Sequence, residues 1–315
     1  MQNKKIVFMG TPDFACPVLE ALIKENYEVT LVVTQPDKLV GRKQILTAPP
    51  VKELAISHNI EVFQPTKIRQ DYQRIIDINP DLIITCAYGQ IIPEELLLLP
   101  KLGCINVHAS LLPKYRGGAP IHWAKINGDE KTGVTIMYMA KNMDTGDIID
   151  VCELKINDKD TTEDLFDKLS VMGADLLIKT LPSILNGTNK RIKQDETHAT
   201  YAYNIKREEE TIDFNQNGKN IINKIRGLYS WPLANFYYEN VEYKILDAYF
   251  EEKSVKEPSK ITEIDKNHFG ISCLNGIIYI TKIKPFGKKE MDIKSFLNGI
   301  KKEQFLNGKV NEKNE

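Results

Sequence analysis

Asn106 and His108 stand two apart in "INVHASLLPKYRGGAP", residues 105–120. In a strand that spacing points both side chains to the same face. An amide and an imidazole side by side could donate hydrogen bonds to one oxygen, the arrangement that stabilises an oxyanion in acyl transfer. Asp144, in "MDTGDII", is the acidic candidate. If it meets His108 it would orient the ring and favour its cation, with Gly146 giving the turn unusual dihedral freedom. From spacing alone a blander reading stays open for each. His108 could merely satisfy nearby backbone groups, and an Asp in a glycine-containing turn could be only a turn former. Two prolines and two glycines follow His108 within residues 113–120, more constraint than a plain connection needs.

The elements that must position these groups alternate. "KKIVFMGTPDFACPVLEALI" reads as strand, tight turn at Gly10 and helix, with Thr11 as N-cap and Pro12 in the first helical position. Further apolar strands are expected at 29–33, 61–63, 81–87 and 104–108, with helices at 51–58 and 68–78. Near-continuous apolar strands alternating with helices predict a mostly parallel sheet covered on both faces, whose strand ends open onto a ligand crevice. A helix at 119–126, strands at 132–139 and 147–156, and a long amphipathic helix opened by Thr161 and Asp164 and closed near Gly187 follow. Residues 188–206 are polar and aperiodic and read as a linker. From about Arg207 come a short helix and many short strands rich in Tyr, Phe, Val and Ile, the pattern of a small barrel.

Composition narrows the function classes. The 315 residues are 42% hydrophobic and 27% charged, which suits one large or two ordinary globular domains. A net charge of −1 offers no global basic field, so any nucleic-acid partner must be held by local patches. Five widely spaced cysteines without a CxxC pair argue against a disulfide framework or a zinc site and fit a reducing cytoplasm. No metal is expected, and no apolar run approaches the roughly 20 residues that span a bilayer.

"NVHASLLPKYRGGAP", with an Asp downstream at 144, resembles the folate-dependent formyltransferases. The resemblance implies that Asn106, His108 and Asp144 are the catalytic set and that Ser110, Leu111, Leu112 and Pro113 help bind folate. It extends over almost the whole chain, through "FMGTPDFACPVLEAL", "VTQPDKLVGRK", "ATYAYNIKREEETIDF", "IRGLYSWPLANF" and "GKKEMDIKSFLNG". It thereby implies an α/β Rossmann-like formyltransferase domain at 1–187, a linker at 188–206 and an OB-like β-barrel domain at 207–315 that adds tRNA affinity. The implied donor is 10-formyltetrahydrofolate, and the implied acceptor is the amino group of methionyl initiator tRNA. By the same analogy the chain is expected to be a monomer; a cytoplasmic location without membrane contact is expected from the cysteines and the short apolar runs. Asn142 stands where the family usually has Gly; Asn is the next-best residue for a left-handed backbone.

Other readings weigh less. "GTPDF" lacks G-x-G-x-x-G and so offers no pyrophosphate cradle for a dinucleotide. The loop at 34–50 carries Lys38, Arg42 and Lys43 against Asp37 alone; the resemblance makes these the expected tRNA contacts. Seven lysines between Lys282 and Lys302 face only Glu290 and Asp292, a second candidate phosphate surface. The rivals are a formyltransferase with a purine-pathway or amino-sugar acceptor, and a tRNA-binding protein without catalysis. The intact catalytic set argues against the last, and the 34–50 loop and second domain against the first.

Overall fold

The computed structural model describes residues 4–41 and 43–312. In chain order the elements up to the first sheet's last strand are β1 (Ile6–Gly10), α1 (Cys16–Lys24), β2 (Val29–Val33), β3 (Lys38–Val40), β4 (Ile45–Thr47), α2 (Pro50–Ser57), β5 (Val62–Phe63), α3 (Gln73–Ile78), β6 (Leu82–Cys86), α4 (Glu94–Leu98), β7 (Cys104–His108), α5 (Pro120–Ile126), β8 (Lys131–Tyr138) and β9 (Ile148–Lys155). They are followed by α6 (Thr162–Leu185), α7 (Gly218–Gly227), β10 (Ala234–Tyr238), β11 (Val241–Glu252), β12 (Ile261–Ile264), β13 (Phe269–Cys273), β14 (Gly276–Pro285), β15 (Met291–Asp292) and α8 (Ile293–Asn298).

Two compact units contain these elements. One comprises residues 1–120, 131–155 and 166–203; the other comprises 121–130, 156–165 and 204–315. The units therefore cut the chain differently from a division by sequence alone: α5 and the start of α6 belong with the C-terminal part.

The first unit is built on a seven-stranded sheet of order β5-β2-β1-β6-β7-β8-β9. β5, β2, β1, β6 and β7 run parallel; β8 and β9 are antiparallel to their neighbours. Sequence dictates this layering. Every residue of β1 and β6 is buried, as a strand covered on both faces requires, whereas β9 alternates half-buried and exposed toward its end. Val7, Met9, Leu31, Val33, Ile83 and Leu96 form the centre of one core layer. The Thr161–Asp164 capping box forms in both directions at the start of α6, and Gly187 ends that helix with a φ of +67°. Thr11 is not a helix cap. The chain first makes a short 3-10 turn at Asp13–Ala15, and the Thr11 hydroxyl donates to the Tyr88 carbonyl, tying two strand ends together. The expected helix at 68–78 is confined to Gln73–Ile78. The long 34–50 loop holds a β3–β4 hairpin, because Leu39, Val40, Ile45 and Leu46 form the two apolar rungs of an antiparallel pair.

The second unit is an antiparallel sheet of order β10-β11-β14-β13-β12, with β15 on β14. β11 is 12 residues long and carries register shifts between Ile245 and Ala248, the bulges that let a long strand bend around a core. That core is aromatic: Phe236, Tyr243, Phe269, Phe296 and Phe305 meet one another in stacked, tilted and edge contacts. Among the described residues, no helix is long and apolar enough to cross a membrane.

Candidate active site

β7 delivers two of the three expected groups. It is the last parallel strand, and its C-terminal residues Asn106 and His108 project from one face. The Thr85 hydroxyl, on the neighbouring β6, donates to Asn106 Oδ1 at 2.8 Å. Holding that oxygen as an acceptor turns the Asn106 NH2 group away, so the amide keeps its donor end for another partner. His108 is buried, at 6% exposure, and its Nε2 lies 3.0 Å from the Tyr115 carbonyl oxygen. A carbonyl only accepts, so Nε2 carries a hydrogen in this arrangement.

Asp144 arrives from the loop between β8 and β9. Its Oδ2 lies 3.8 Å from His108 Nδ1, so carboxylate and ring face each other at ion-pair distance without a direct hydrogen bond. The same oxygen accepts from the Gly117 N–H at 2.8 Å. The left-handed residue of this loop is Asp144 itself, at φ +54°; Asn142, expected in that role, is not among the positive-φ residues. Gly146 is required for a different reason from its dihedrals. A Cβ there would lie 1.8 Å from the Tyr138 carbonyl oxygen.

The turn after β7 is pinned from within. Thr135, paired with His108 across β7 and β8, donates its hydroxyl to the Ser110 carbonyl at 2.6 Å and accepts from the Leu112 N–H at 3.2 Å. The Ser110 hydroxyl is fully buried and donates to the Lys114 carbonyl at 2.7 Å. Leu112 is buried against Met137 and Ile148. Of the four expected folate residues, Ser110 and Leu112 thus shape the turn, while Leu111 and Pro113 keep half-exposed apolar surface.

Sequence reasoning missed Arg116. Its hydropathy says surface, yet it is fully buried. The guanidinium donates through Nη1 and Nη2 to the Glu196 carboxylate, both at 2.8 Å, and through Nε and Nη2 to Gln194 Oε1 at 3.1 and 2.8 Å. The Glu196 hydrogen bonds hold Arg116 charged more firmly than usual and hold the Glu196 carboxyl below the ordinary carboxylate range. Gln194 then donates from Nε2 to the carbonyls of Asp144 and Gly146, both at 2.8 Å. The only sequence signal was negative: a charged residue inside a Pro- and Gly-rich turn with no neighbouring acid.

The expected tRNA contacts lie elsewhere in the same unit. Lys38, in β3, and Lys43, in the hairpin turn, are exposed; Arg42 lies outside the described residues. Leu39, Val40, Ile45 and Leu46 are 54–65% exposed on the same hairpin. All five cysteines are free, and among the described residues no group of three or more His, Cys, Asp or Glu could hold a metal.

A mostly parallel sheet that ends in an amide and an imidazole, closed by a carboxylate from a neighbouring loop, defines the class: a Rossmann-like enzyme equipped for acyl transfer. Residues 4–181 match the family model described as formyl transferase, and residues 204–301 that of the formyl transferase C-terminal domain. The chain belongs to the formyl transferase family. It is 50% identical over 310 residues to the methionyl-tRNA formyltransferase of Macrococcus caseolyticus (strain JCSC5402), covering 98% of this chain and 99% of that one. It is also 50% identical over 306 residues to that of Bacillus cereus (strain G9842), covering 95% and 96%. Among solved structures it is similar to an N-formyltransferase from Helicobacter canadensis in complex with folinic acid and dTDP-3-aminofucose. That match has a TM-score of 0.68 at 22% identity and covers 90% of this chain and 99% of the other, which shows a shared fold.

Proposed function

We propose that this chain transfers the formyl group of 10-formyltetrahydrofolate to the amino group of methionyl initiator tRNA, the step that prepares the tRNA for translation initiation in the cytoplasm. The observation that carries the chemistry is the convergence of Asn106 and His108, from the end of β7, with Asp144, from the β8–β9 loop. The relatives at 50% identity over nearly the full length support the choice of acceptor.

The neutral methionyl amine attacks the formyl carbon, a new C–N bond forms, and the carbonyl electron pair moves onto oxygen. Asn106 donates to that oxyanion from the amide end that Thr85 leaves free. The His108 Nε2–H, shared with the Tyr115 carbonyl before substrate binds, is the second donor. The bond from carbon to N10 of the donor then breaks. His108 takes up the proton shed by the attacking nitrogen and gives one to N10, so the ring is never left an anion and the net change is one formyl group for one hydrogen. Asp144 holds the ring through the exchange.

Leu111 and Pro113 offer the apolar surface that a folate ring system needs, on a turn made rigid by Ser110 and Leu112. The β3–β4 hairpin, with Lys38 and Lys43 and its exposed apolar side chains, meets the acceptor end, and Arg42 is the third expected contact by its place in the sequence. The segment 1–187 supplies the reacting groups, 188–206 braces them through Gln194 on its way to the second domain, and 207–315 adds affinity through its exposed lysines. The deciding assay mixes the purified protein and 10-formyltetrahydrofolate with methionyl initiator tRNA or with a nucleotide-linked amino sugar. Mass spectrometry of the released amino acid should give formylmethionine. Formylation of the sugar with untouched methionine would overturn the reading.

A further inference from the structure

We infer that Arg116 and Gln194 are positioning residues that together set the place of the Asp144 carboxylate without touching either substrate. This rests on the reading of His108 and Asp144 as the working pair.

An arginine can only donate, so its neighbour must present an acceptor. Gln194, 5% exposed, therefore turns Oε1 toward Arg116. That choice leaves both amide hydrogens on the opposite side, where they meet the carbonyls of Asp144 and Gly146. The two carbonyls bracket the turn in which Asp144 holds its left-handed backbone at φ +54°. Asp tolerates such a conformation better than most residues with a Cβ, and the two hydrogen bonds from Gln194 hold the turn in it. The guanidinium is itself fixed by two-pronged contact with Glu196.

The same arginine grips Asp144 a second way. Its backbone pairs with the 200–202 segment: the Arg116 N–H donates to the Thr200 carbonyl at 2.9 Å, and the Ala202 N–H donates to the Arg116 carbonyl at 2.8 Å. That fixes the next residue, Gly117, whose N–H holds Asp144 Oδ2. Gln194 thus sets the Asp144 main chain and Gly117 sets its carboxylate, and Arg116 sits between them. His108 sees the result as a carboxylate 3.8 Å away, close enough that a small displacement decides whether the two can engage.

The test is a double-mutant cycle on the full-length enzyme with Gln194→Glu and Asp144→Asn. Gln194→Glu keeps the size and the partnership with Arg116 but removes both donors and points an oxygen at two carbonyls. The expected result is a fall in kcat of about 10–100-fold, with KM for methionyl-tRNA and for the folate donor each changed less than about threefold. Asp144→Asn should also lower kcat heavily, and the double variant should be no slower than Asp144→Asn alone, because residues acting through one another are not additive. A wild-type kcat in Gln194→Glu, or losses that multiply in the double variant, would overturn the positioning role while leaving the working pair intact. Full activity of Asp144→Asn would overturn both together. If thermal melting shows Gln194→Glu to be unfolded, Gln194→Asn carries the cycle. It keeps the amide but is one methylene too short to reach Arg116 and both carbonyls.

Discussion

The turns at 108–120 and 139–147 and the β3–β4 hairpin differ in how much of their surface is already committed. In the first pair nearly every polar group near the chemistry has a protein partner. Thr135 fills two backbone sites of the Ser110–Leu112 turn, Gly117 holds Asp144, and a fully buried arginine reaches the Asp144 loop through Gln194. The hairpin has two apolar rungs, Leu39 with Leu46 and Val40 with Ile45, and both are largely exposed. At its tip Gln44 bonds twice to the Gly41 carbonyl. A two-stranded hairpin is only marginally stable by itself in water. One region is therefore organised before substrate arrives, and the other presents surface that a partner can cover.

The largest effect expected from this contrast is on turnover. His108→Ala should reduce kcat by about 10²–10³-fold, the usual cost of losing a donor to the oxyanion, with tRNA affinity unchanged in a filter-binding assay. A loss of affinity with intact kcat would place His108 in substrate binding and erase the contrast. Gly117→Ala comes next. Its Cβ would sit 2.6 Å from the Ala202 carbonyl oxygen, at a φ of +124° that side chains rarely adopt. Local strain of this kind costs about 1–3 kcal/mol. Both the calorimetric melting temperature and kcat should fall, since the same N–H holds Asp144. An unchanged melting temperature would mean that the 108–120 turn yields as easily as the hairpin.

How much of this contrast could be read in the sequence depends on the range of the interactions. β7 was legible to the residue, because five apolar or alternating positions end at His108 and a strand needs only its own pattern. The same holds for the capping box of Thr161 and Asp164, whose partners are three residues apart. Arg116 was illegible because its partners Gln194 and Glu196 lie 78 and 80 residues downstream. They fall in a segment whose polarity and lack of period suggested a linker. That polarity is in fact directed: Gln194 is buried among acceptors and donors, and residues 200–202 pair with the backbone of Arg116. The hairpin was missed for a related reason. Its two short apolar runs are separated by Gly41 and charged residues and are largely exposed, so the sequence there lacks the sustained apolar pattern that announces a buried strand.

A smaller effect should separate binding from chemistry. Leu39→Ser with Leu46→Ser removes one exposed rung of the hairpin. Exposed positions away from special contacts change stability by no more than about 0.5 kcal/mol, so the melting temperature should stay put. KM for methionyl-tRNA should rise about tenfold, equivalent to about 1.4 kcal/mol of lost contact, with kcat within a factor of two. An equal fall in kcat would mean that the hairpin takes part in closing the active site, and the two regions would then be one device.

The smallest effect lies at the foot of the hairpin, where it joins the committed part of the molecule. Asp37 accepts from Gln64 Nε2 at 2.8 Å and from Lys52 Nζ at 2.8 Å. The Gln64 hydrogen bond first, and Lys52 second, hold its carboxyl below the ordinary aspartate range. A carboxyl lowered on folding contributes above its unfolded pKa and loses that contribution as pH falls through the folded value. Amide exchange across residues 38–47, followed by mass spectrometry, should therefore speed up, once corrected for intrinsic rates, as pH drops below the usual aspartate range. Global melting and turnover at neutral pH should barely move. Asp37→Asn should abolish that pH dependence while leaving kcat alone. If the variant kept the pH dependence, the anchor would lie elsewhere, and the division between a fixed base and a presented tip would have to be redrawn further along β3.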